Sequence, residues 1–169
     1  AVPPTSLDIW GMRKGARVGA SEDGTTVTVY ESGGVTNSFV LNAGEIQSIS
    51  IGDNANQSAG SALHIVADKP IAAIEYADSD GSESTAFYDS AYLSTHYGIP
   101  IDTQYIAVAC PELSTTVTLY DGVNPPEIQL CNGDGTTPGK AYFGSTSKGV
   151  HINAGAYIES DLPIYVIYE

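Results

Sequence analysis

The chain has 169 residues, of which 42% are hydrophobic and 15% are charged. This composition is too apolar for a disordered chain and too lightly charged for a coiled coil. The 20 acidic and 6 basic residues give a formal net charge of −14, which repels phosphate backbones and anionic lipid and argues against nucleic-acid binding. No apolar run approaches the roughly 18 residues that span a bilayer, so we predict no membrane insertion.

The N-terminal segment, residues 1–15, differs from the rest of the chain. It holds the single tryptophan, Trp10, and two of the six basic residues, Arg13 and Lys14; Arg17 follows directly. A basic cluster beside an exposed aromatic residue suits contact with an acidic neighbour. We therefore predict that Trp10, Arg13, Lys14 and Arg17 dock the chain onto another subunit.

An internal repeat dominates the remaining sequence. Thr25–Glu31 (TTVTVYE) recurs as Thr115–Asp121 (TTVTLYD), and Asp68–Ile74 (DKPIAAI) pairs with Asp161–Ile167 (DLPIYVI). The repeat predicts two homologous units separated by a connector. The predicted segments are a docking segment at 1–15, β unit one at 16–76, a connector at 77–105 and β unit two at 106–169.

Each repeat alternates polar and apolar residues, which predicts half-buried strands. A second strand is expected at Ser38–Leu41 and at Glu127–Cys131, and a third at Ile46–Ile51. Asp-x-Pro near the end of each unit predicts a turn between two strands. The fold class predicted is all-β, with two antiparallel sandwich or barrel-like units packed with pseudo-two-fold symmetry.

Cys110 and Cys131 fall on neighbouring predicted strands of unit two, and their unit-one counterparts are Ala20 and Leu41. Both positions are therefore expected to face the core. A disulfide suits an exported protein, and two buried thiols fit equally well.

The connector carries two candidate binding features. Asp78, Asp80 and Glu83 surround a glycine as in the start of a calcium loop, which suggests a structural calcium ion, although a solvated acidic turn fits the same pattern. No other cofactor is required. Tyr88, Tyr92 and Tyr97 form an aromatic group that suits binding of a sugar or a protein.

No residue pattern indicates catalysis. The chain has no Gly-x-Ser-x-Gly elbow, and its three histidines do not align between the units. We predict that the protein is not an enzyme and that its histidines are ordinary surface or hydrogen-bonded residues.

Three stretches together resemble a known class of proteins: TTVTVY at 25–30, ADKPIAAI at 67–74 and ADSDGSEST at 77–85. They resemble β-rich structural proteins of tailed bacteriophages, particularly cyanobacterial phages. The DKPI strand is also similar, more weakly, to repeats of extracellular adhesive proteins of the IgG-Fc-binding type. Neither resemblance brings catalytic residues.

The resemblance implies a non-enzymatic part of a virion or extracellular surface structure, such as a decoration, neck or fibre protein. Its expected partners are copies of itself and other particle or surface proteins, and its expected location is the virion or the cell exterior. The alternative is a monomeric module that binds carbohydrate, such as a host glycan, or a cell surface.

Overall fold

The computed structural model describes residues 6–13, 15–34, 36–50, 61–75, 85–145 and 149–169. The chain divides into two compact units, with the boundary between Tyr92 and Leu93. The described residues are almost entirely strands and turns, so the predicted all-β class is confirmed. None of the described helical residues belongs to a helix long and apolar enough to cross a membrane.

The described residues of unit one form seven strands: β1 (Ser6–Arg13), β2 (Gly15–Ala20), β3 (Thr25–Glu31), β4 (Thr36–Leu41), β5 (Ile46–Ser50), β6 (Ser61–Glu75) and β7 (Tyr88–Asp89). A single turn of 3-10 helix, Ser90–Tyr92, follows. Those of unit two form six strands: β8 (Ser94–Gly98), β9 (Tyr105–Cys110), β10 (Thr115–Tyr120), β11 (Glu127–Cys131), β12 (Gly139–Gly144) and β13 (Tyr157–Tyr168). All pairings are antiparallel.

The two units share one internal topology. In unit one the long strand β6 pairs first with β1 and β3 and then with β2, while β4 extends β3 and β5 extends β2. In unit two β13 pairs in the same way with β8 and β10 and then with β9, while β11 and β12 occupy the outer positions. The sequence repeat therefore corresponds to a repeated strand order. The predicted pseudo-two-fold packing of the units stays a prediction.

Alternation places one side of each strand in the interior. In β3, Val27 and Val29 are buried, whereas Thr26, which precedes Val27 and lies on the opposite side of the strand, is exposed. The core of unit two consists of Ile99, Ile106, Val108, Cys110, Val117, Leu119, Cys131, Ala141, Phe143, Ile152, Ala156, Ile158, Ile164 and Val166. Burial of these apolar side chains is the main force that holds the strands together.

The predicted turn at Asp-x-Pro is wrong in both units. β6 runs without interruption through Pro70, and β13 does the same through Pro163. Proline is tolerated because each long strand changes partners at this point, where its missing N–H is not needed. The aspartate compensates on the neighbouring strand: the Thr26 N–H donates to Asp68 Oδ1 at 2.8 Å, and unit two repeats this bond, also at 2.8 Å, between Thr116 and Asp161.

The described part of the predicted connector belongs to the two units. Ala86 forms a bridge with Ile74, and β7 then pairs with β1. Phe87 is buried, and its ring lies where a Cβ on Gly11 would stand, so that position requires glycine. The remaining described part supplies β8, which occupies in unit two the place of β1 in unit one. The described part of this segment therefore includes short strands that pair within unit one and within unit two.

In unit two, two side-chain interactions join β11 to strands with which it does not form a backbone pair. Cys110 and Cys131 form a disulfide between β9 and β11, and both are fully buried. The Gln129 side chain on β11 accepts a hydrogen bond from the Tyr142 N–H on β12 at 3.1 Å and donates one to the Tyr142 carbonyl. This amide therefore pairs with β12 as a strand would.

We expect reduction of the disulfide to lower the free energy of unfolding of unit two by about 2–4 kcal/mol, because the closed loop no longer restricts the unfolded chain. Unit one, whose equivalent positions are Ala20 and Leu41, serves as the internal control. The double variant Cys110→Ala with Cys131→Leu copies unit one and should unfold with no response to reductant. Denaturation monitored by NMR in both units measures this, and equal reductant sensitivity of the two units would contradict it.

Asp68→Ala and Asp161→Ala should each destabilise their own unit by about 1 kcal/mol, because the threonine N–H loses a charged acceptor. Asp102→Ala is the comparison variant, because it removes an acceptor for the Ala154 N–H in a loop away from the change of strand partner. Urea denaturation measures the effect. If neither Asp68→Ala nor Asp161→Ala lowers stability, the aspartates do not support the change of strand partner.

Candidate binding face

The outer face of the sheet β11-β10-β13-β8 in unit two carries a concentrated group of exposed side chains. Strand register orders them in two neighbouring rows across the sheet. One row is Tyr120, Tyr157 and Gly98. The other is Ile128, Thr118, Glu159 and His96. We call these the ring row and the polar row.

The ring row leaves one aromatic face open. Tyr120 and Tyr157 are stacked, with ring centroids 4.6 Å apart and an interplanar angle of 11°. Tyr157 is 42% exposed. On its other side the strand neighbour is Gly98, and a Cβ built there would meet no atom within 4 Å. The position beside Tyr157 is therefore open, and we call it the Gly98 gap.

The polar row brings the side chains of His96 and Glu159 together. His96 Nε2 lies 3.3 Å from Glu159 Oε1. Desolvation by the surrounding side chains raises the pKa of Tyr120, and the charge of Glu159 and its hydrogen bond with the Tyr120 hydroxyl raise it further. Glu159 thus lies close to His96 and affects the ionisation of Tyr120 in the neighbouring row.

A shallow depression extends from the polar row along β13. His96, Thr116, Thr118, Glu159, Ser160 and Asp161 line it. Within it, Asp161 is engaged by the Thr116 N–H. The Ser160 hydroxyl donates to the Leu162 carbonyl at 2.7 Å, while the threonine hydroxyls and the Glu159 carboxylate offer hydrogen-bonding groups in the row beside the tyrosine rings.

Aliphatic side chains border the same face. Ile128 and Leu130 are 66% and 58% exposed and lie two residues apart on β11, so they share one side of the strand. In unit one the position equivalent to Leu130 is Val40 on β4, which is 63% exposed. Adjacent exposed aliphatic residues on a sheet face are typical of association surfaces.

The matching face of unit one is closed by its own side chains. Tyr30, His64 and Trp10 occupy the positions of Tyr120, Tyr157 and Gly98. The Trp10 ring stacks on His64 with centroids 3.9 Å apart and an interplanar angle of 8°. His64 Nε2 also lies 3.1 Å from Asp8 Oδ1. Trp10 therefore fills in unit one the position that is open in unit two.

Among the four predicted docking residues, the structure describes the side chains of Trp10 and Arg17, and these two do not form a surface cluster. Trp10 is only 3% exposed and belongs to β1, which lies between β6 and β7, so its predicted docking role is wrong. Arg13 ends β1, but its side chain and all of Lys14 lie outside the described residues. Arg17 is exposed on β2. The described residues 6–13 of the N-terminal segment are thus part of the sheet, and their apolar side chains Ile9, Trp10 and Met12 are buried.

The three predicted ligand-binding tyrosines are divided between the units. Tyr88 and Tyr92 are exposed in unit one, Tyr92 to 68%. Tyr97 lies in unit two, where it packs on the core and its hydroxyl donates to the Ile164 carbonyl. The hydroxyl also accepts from the Ser94 N–H at 3.0 Å. Tyr97 is therefore a packing residue, and its predicted ligand-binding role is not supported by this placement.

The predicted calcium ligands Asp78, Asp80 and Glu83 lie outside the described residues, and this site stays a prediction. Within the described ranges, no group of three or more His, Cys, Asp or Glu side chains is arranged to hold a metal ion.

The sequence interpretation missed Tyr120, Tyr157, Glu159 and His96 as one group. The repeat contained part of the signal, because Tyr30 aligns with Tyr120 and His64 aligns with Tyr157. Gly98 had no such signal, since β8 and β1 share no sequence pattern and their equivalence exists only in the pairing with β13 and β6.

We expect Glu159→Gln to lower the pKa of Tyr120 toward its usual value, because the variant removes the negative charge that disfavours ionisation. NMR titration of the tyrosine ring carbons measures this. Glu112→Gln removes one charge from a turn of the same unit and should leave the titration unchanged. An unchanged Tyr120 titration in Glu159→Gln would contradict the interaction between Glu159 and Tyr120.

The chain matches no protein-family model, no curated protein and no solved structure.

Proposed function

We propose that the protein is a non-enzymatic structural protein of a virion or another extracellular surface structure, which associates with copies of itself. The observation that carries the proposal is the pair Ile128 and Leu130, exposed side by side on the outer face of a strand. Such a pair gains about 25 cal/mol per Å² when a neighbouring subunit covers it.

The Gln129 side chain favours association through this face over addition of a strand. Edge strands are open to pairing when their N–H and C=O groups have no partner. Here the Gln129 amide already occupies the N–H and C=O of Tyr142 on β12. A partner that covers the outer face keeps this bond intact.

The disulfide supports an extracellular or virion location, since such bonds persist in oxidising surroundings.

The acidic character of the chain makes assembly depend on the salt concentration. With a formal net charge of −14, two copies repel each other at long range, and salt screens this repulsion. Assembly by this face is therefore expected to strengthen as ionic strength rises.

The double variant Ile128→Ser with Leu130→Ser should weaken self-association by roughly 30-fold or more, because it removes on the order of 2 kcal/mol of apolar burial. Sedimentation velocity at about 0.05 M and about 0.5 M salt measures the association and its salt dependence.

The matched control is Leu113→Ser with Val123→Ser. These residues are also exposed aliphatic side chains of unit two but lie in turns. The control should assemble as the unmodified chain does. A monomer at all salt concentrations, or equal assembly of the two double variants, would refute the proposal.

Carbohydrate binding is the second candidate function. The specific observation in its favour is the exposed ring of Tyr157 beside the hydrogen-bonding groups of Glu159 and His96. Tyrosine suits sugars because its ring packs against C–H groups while nearby polar groups bind hydroxyls.

A further inference from the structure

We infer that the Gly98 gap in unit two is a binding subsite for one pyranose ring of a neutral glycan, which stacks on the free face of Tyr157. This inference rests on the second candidate function, carbohydrate binding, and is independent of self-association.

Unit one shows what the position accepts. There the residue equivalent to Tyr157 is His64, and the flat Trp10 ring stacks on it at 3.9 Å. The backbone pairing that brings Trp10 beside His64 is the same pairing that brings Gly98 beside Tyr157. The repeated fold therefore places a flat ring at this position in one unit and leaves the position empty in the other.

The surroundings of the gap favour a sugar over an aromatic side chain. In unit one, where an indole fills the position, the neighbouring row has Val66 at its centre. In unit two the residue at that place is Glu159, flanked by Thr118 and His96. A carboxylate and an imidazole beside a tyrosine ring can exchange hydrogen bonds with the equatorial hydroxyls of a pyranose, and an aromatic side chain carries no such set of hydroxyls.

The outer side of the gap is also more open than its counterpart. In unit one β7 pairs with β1 and places Tyr88 next to Trp10. In unit two, among the described residues, β8 pairs only with β13. A glycan chain can therefore extend past Gly98 beyond the sheet edge.

Charge selects the class of glycan. The depression contains Glu159 and Asp161, and the whole chain carries a formal charge of −14. Uronic acids and sialic acids would be repelled, so the expected ligand is a neutral hexose or pentose polymer.

The test is titration of the full chain with neutral penta- and hexasaccharides of glucose, mannose and xylose, followed by calorimetry and by NMR of the tyrosine rings. At least one oligosaccharide should bind and shift the Tyr157 signals. Tyr157→Ala should weaken binding about ten-fold or more, because the stacking surface is lost.

Two substitutions at one position separate the subsite from the fold. Gly98→Trp copies Trp10 of unit one and should abolish binding by filling the gap. Gly98→Ala adds a Cβ that meets no neighbour and should bind as the unmodified chain does. Tyr168→Ala alters an exposed tyrosine in the second half of β13, outside both rows, and should have no effect.

The outcomes distinguish the subsite from the broader function. Binding that is unaffected by Tyr157→Ala and Gly98→Trp would overturn the subsite but leave carbohydrate binding standing. Absence of binding to every oligosaccharide would overturn both. Loss of self-association in Gly98→Trp, without any glycan binding, would assign the gap to an aromatic side chain of a second copy and overturn the inference.

Discussion

The change of sheet partner within one long strand is the constraint on which each unit depends. The two halves of β6, and likewise of β13, pair with different strands. Every other strand of the unit pairs either with one half of the long strand or with a strand that does so. Proline and aspartate at the change of partner make it possible. Proline removes a donor that would have no acceptor, and aspartate supplies an acceptor for the adjoining strand. The outer face of unit two exists because the first half of β13 is held between β10 and β8.

The repeated unit has kept its backbone interactions while its surface has diverged. In both units a threonine hydroxyl donates to the carbonyl of a glutamate three residues earlier, Thr25 to Glu22 and Thr115 to Glu112. Gly24 and Ser114 occupy the same left-handed turn position, with φ of 62° and 60°. An asparagine side chain accepts from the N–H at this position in both units, from Gly24 at 3.3 Å and from Ser114 at 3.0 Å. The hydrogen bonds that the two units share thus lie in turns and beside the prolines of the long strands, whereas the outer faces of the two units differ.

Much of the fold could be predicted from the sequence because the strands alternate clearly and occur twice. The prediction of Glu127–Cys131 as a strand agrees with β11, and Ile46–Ile51 covers β5. The errors share one cause. Asp-x-Pro favours a turn locally, but pairing on both sides of Pro70 keeps the strand continuous.

The N-terminal residues illustrate the same limit for the site. A tryptophan near basic residues suggests an exposed docking surface, yet Trp10 is buried because β1 supplies a strand that unit one requires. The Gly98 gap was invisible to sequence reasoning for a related reason. A glycine is informative only when the residue across the sheet is known, and that neighbour, Tyr157, is 59 positions away by number.

The pairing of Trp10 with His64, and of Gly98 with Tyr157, also bears on how two similar units in one chain avoid exchanging strands. β1 and β8 perform the same task, so during folding each competes for the wrong long strand. If β8 paired with β6, the buried His64 would face a void in place of an indole. If β1 paired with β13, Trp10 would be placed on an exposed face without the strand that adjoins it in unit one. The difference between a large ring and no side chain at a single cross-strand position therefore makes each of these two strands a poorer fit to the long strand of the other unit.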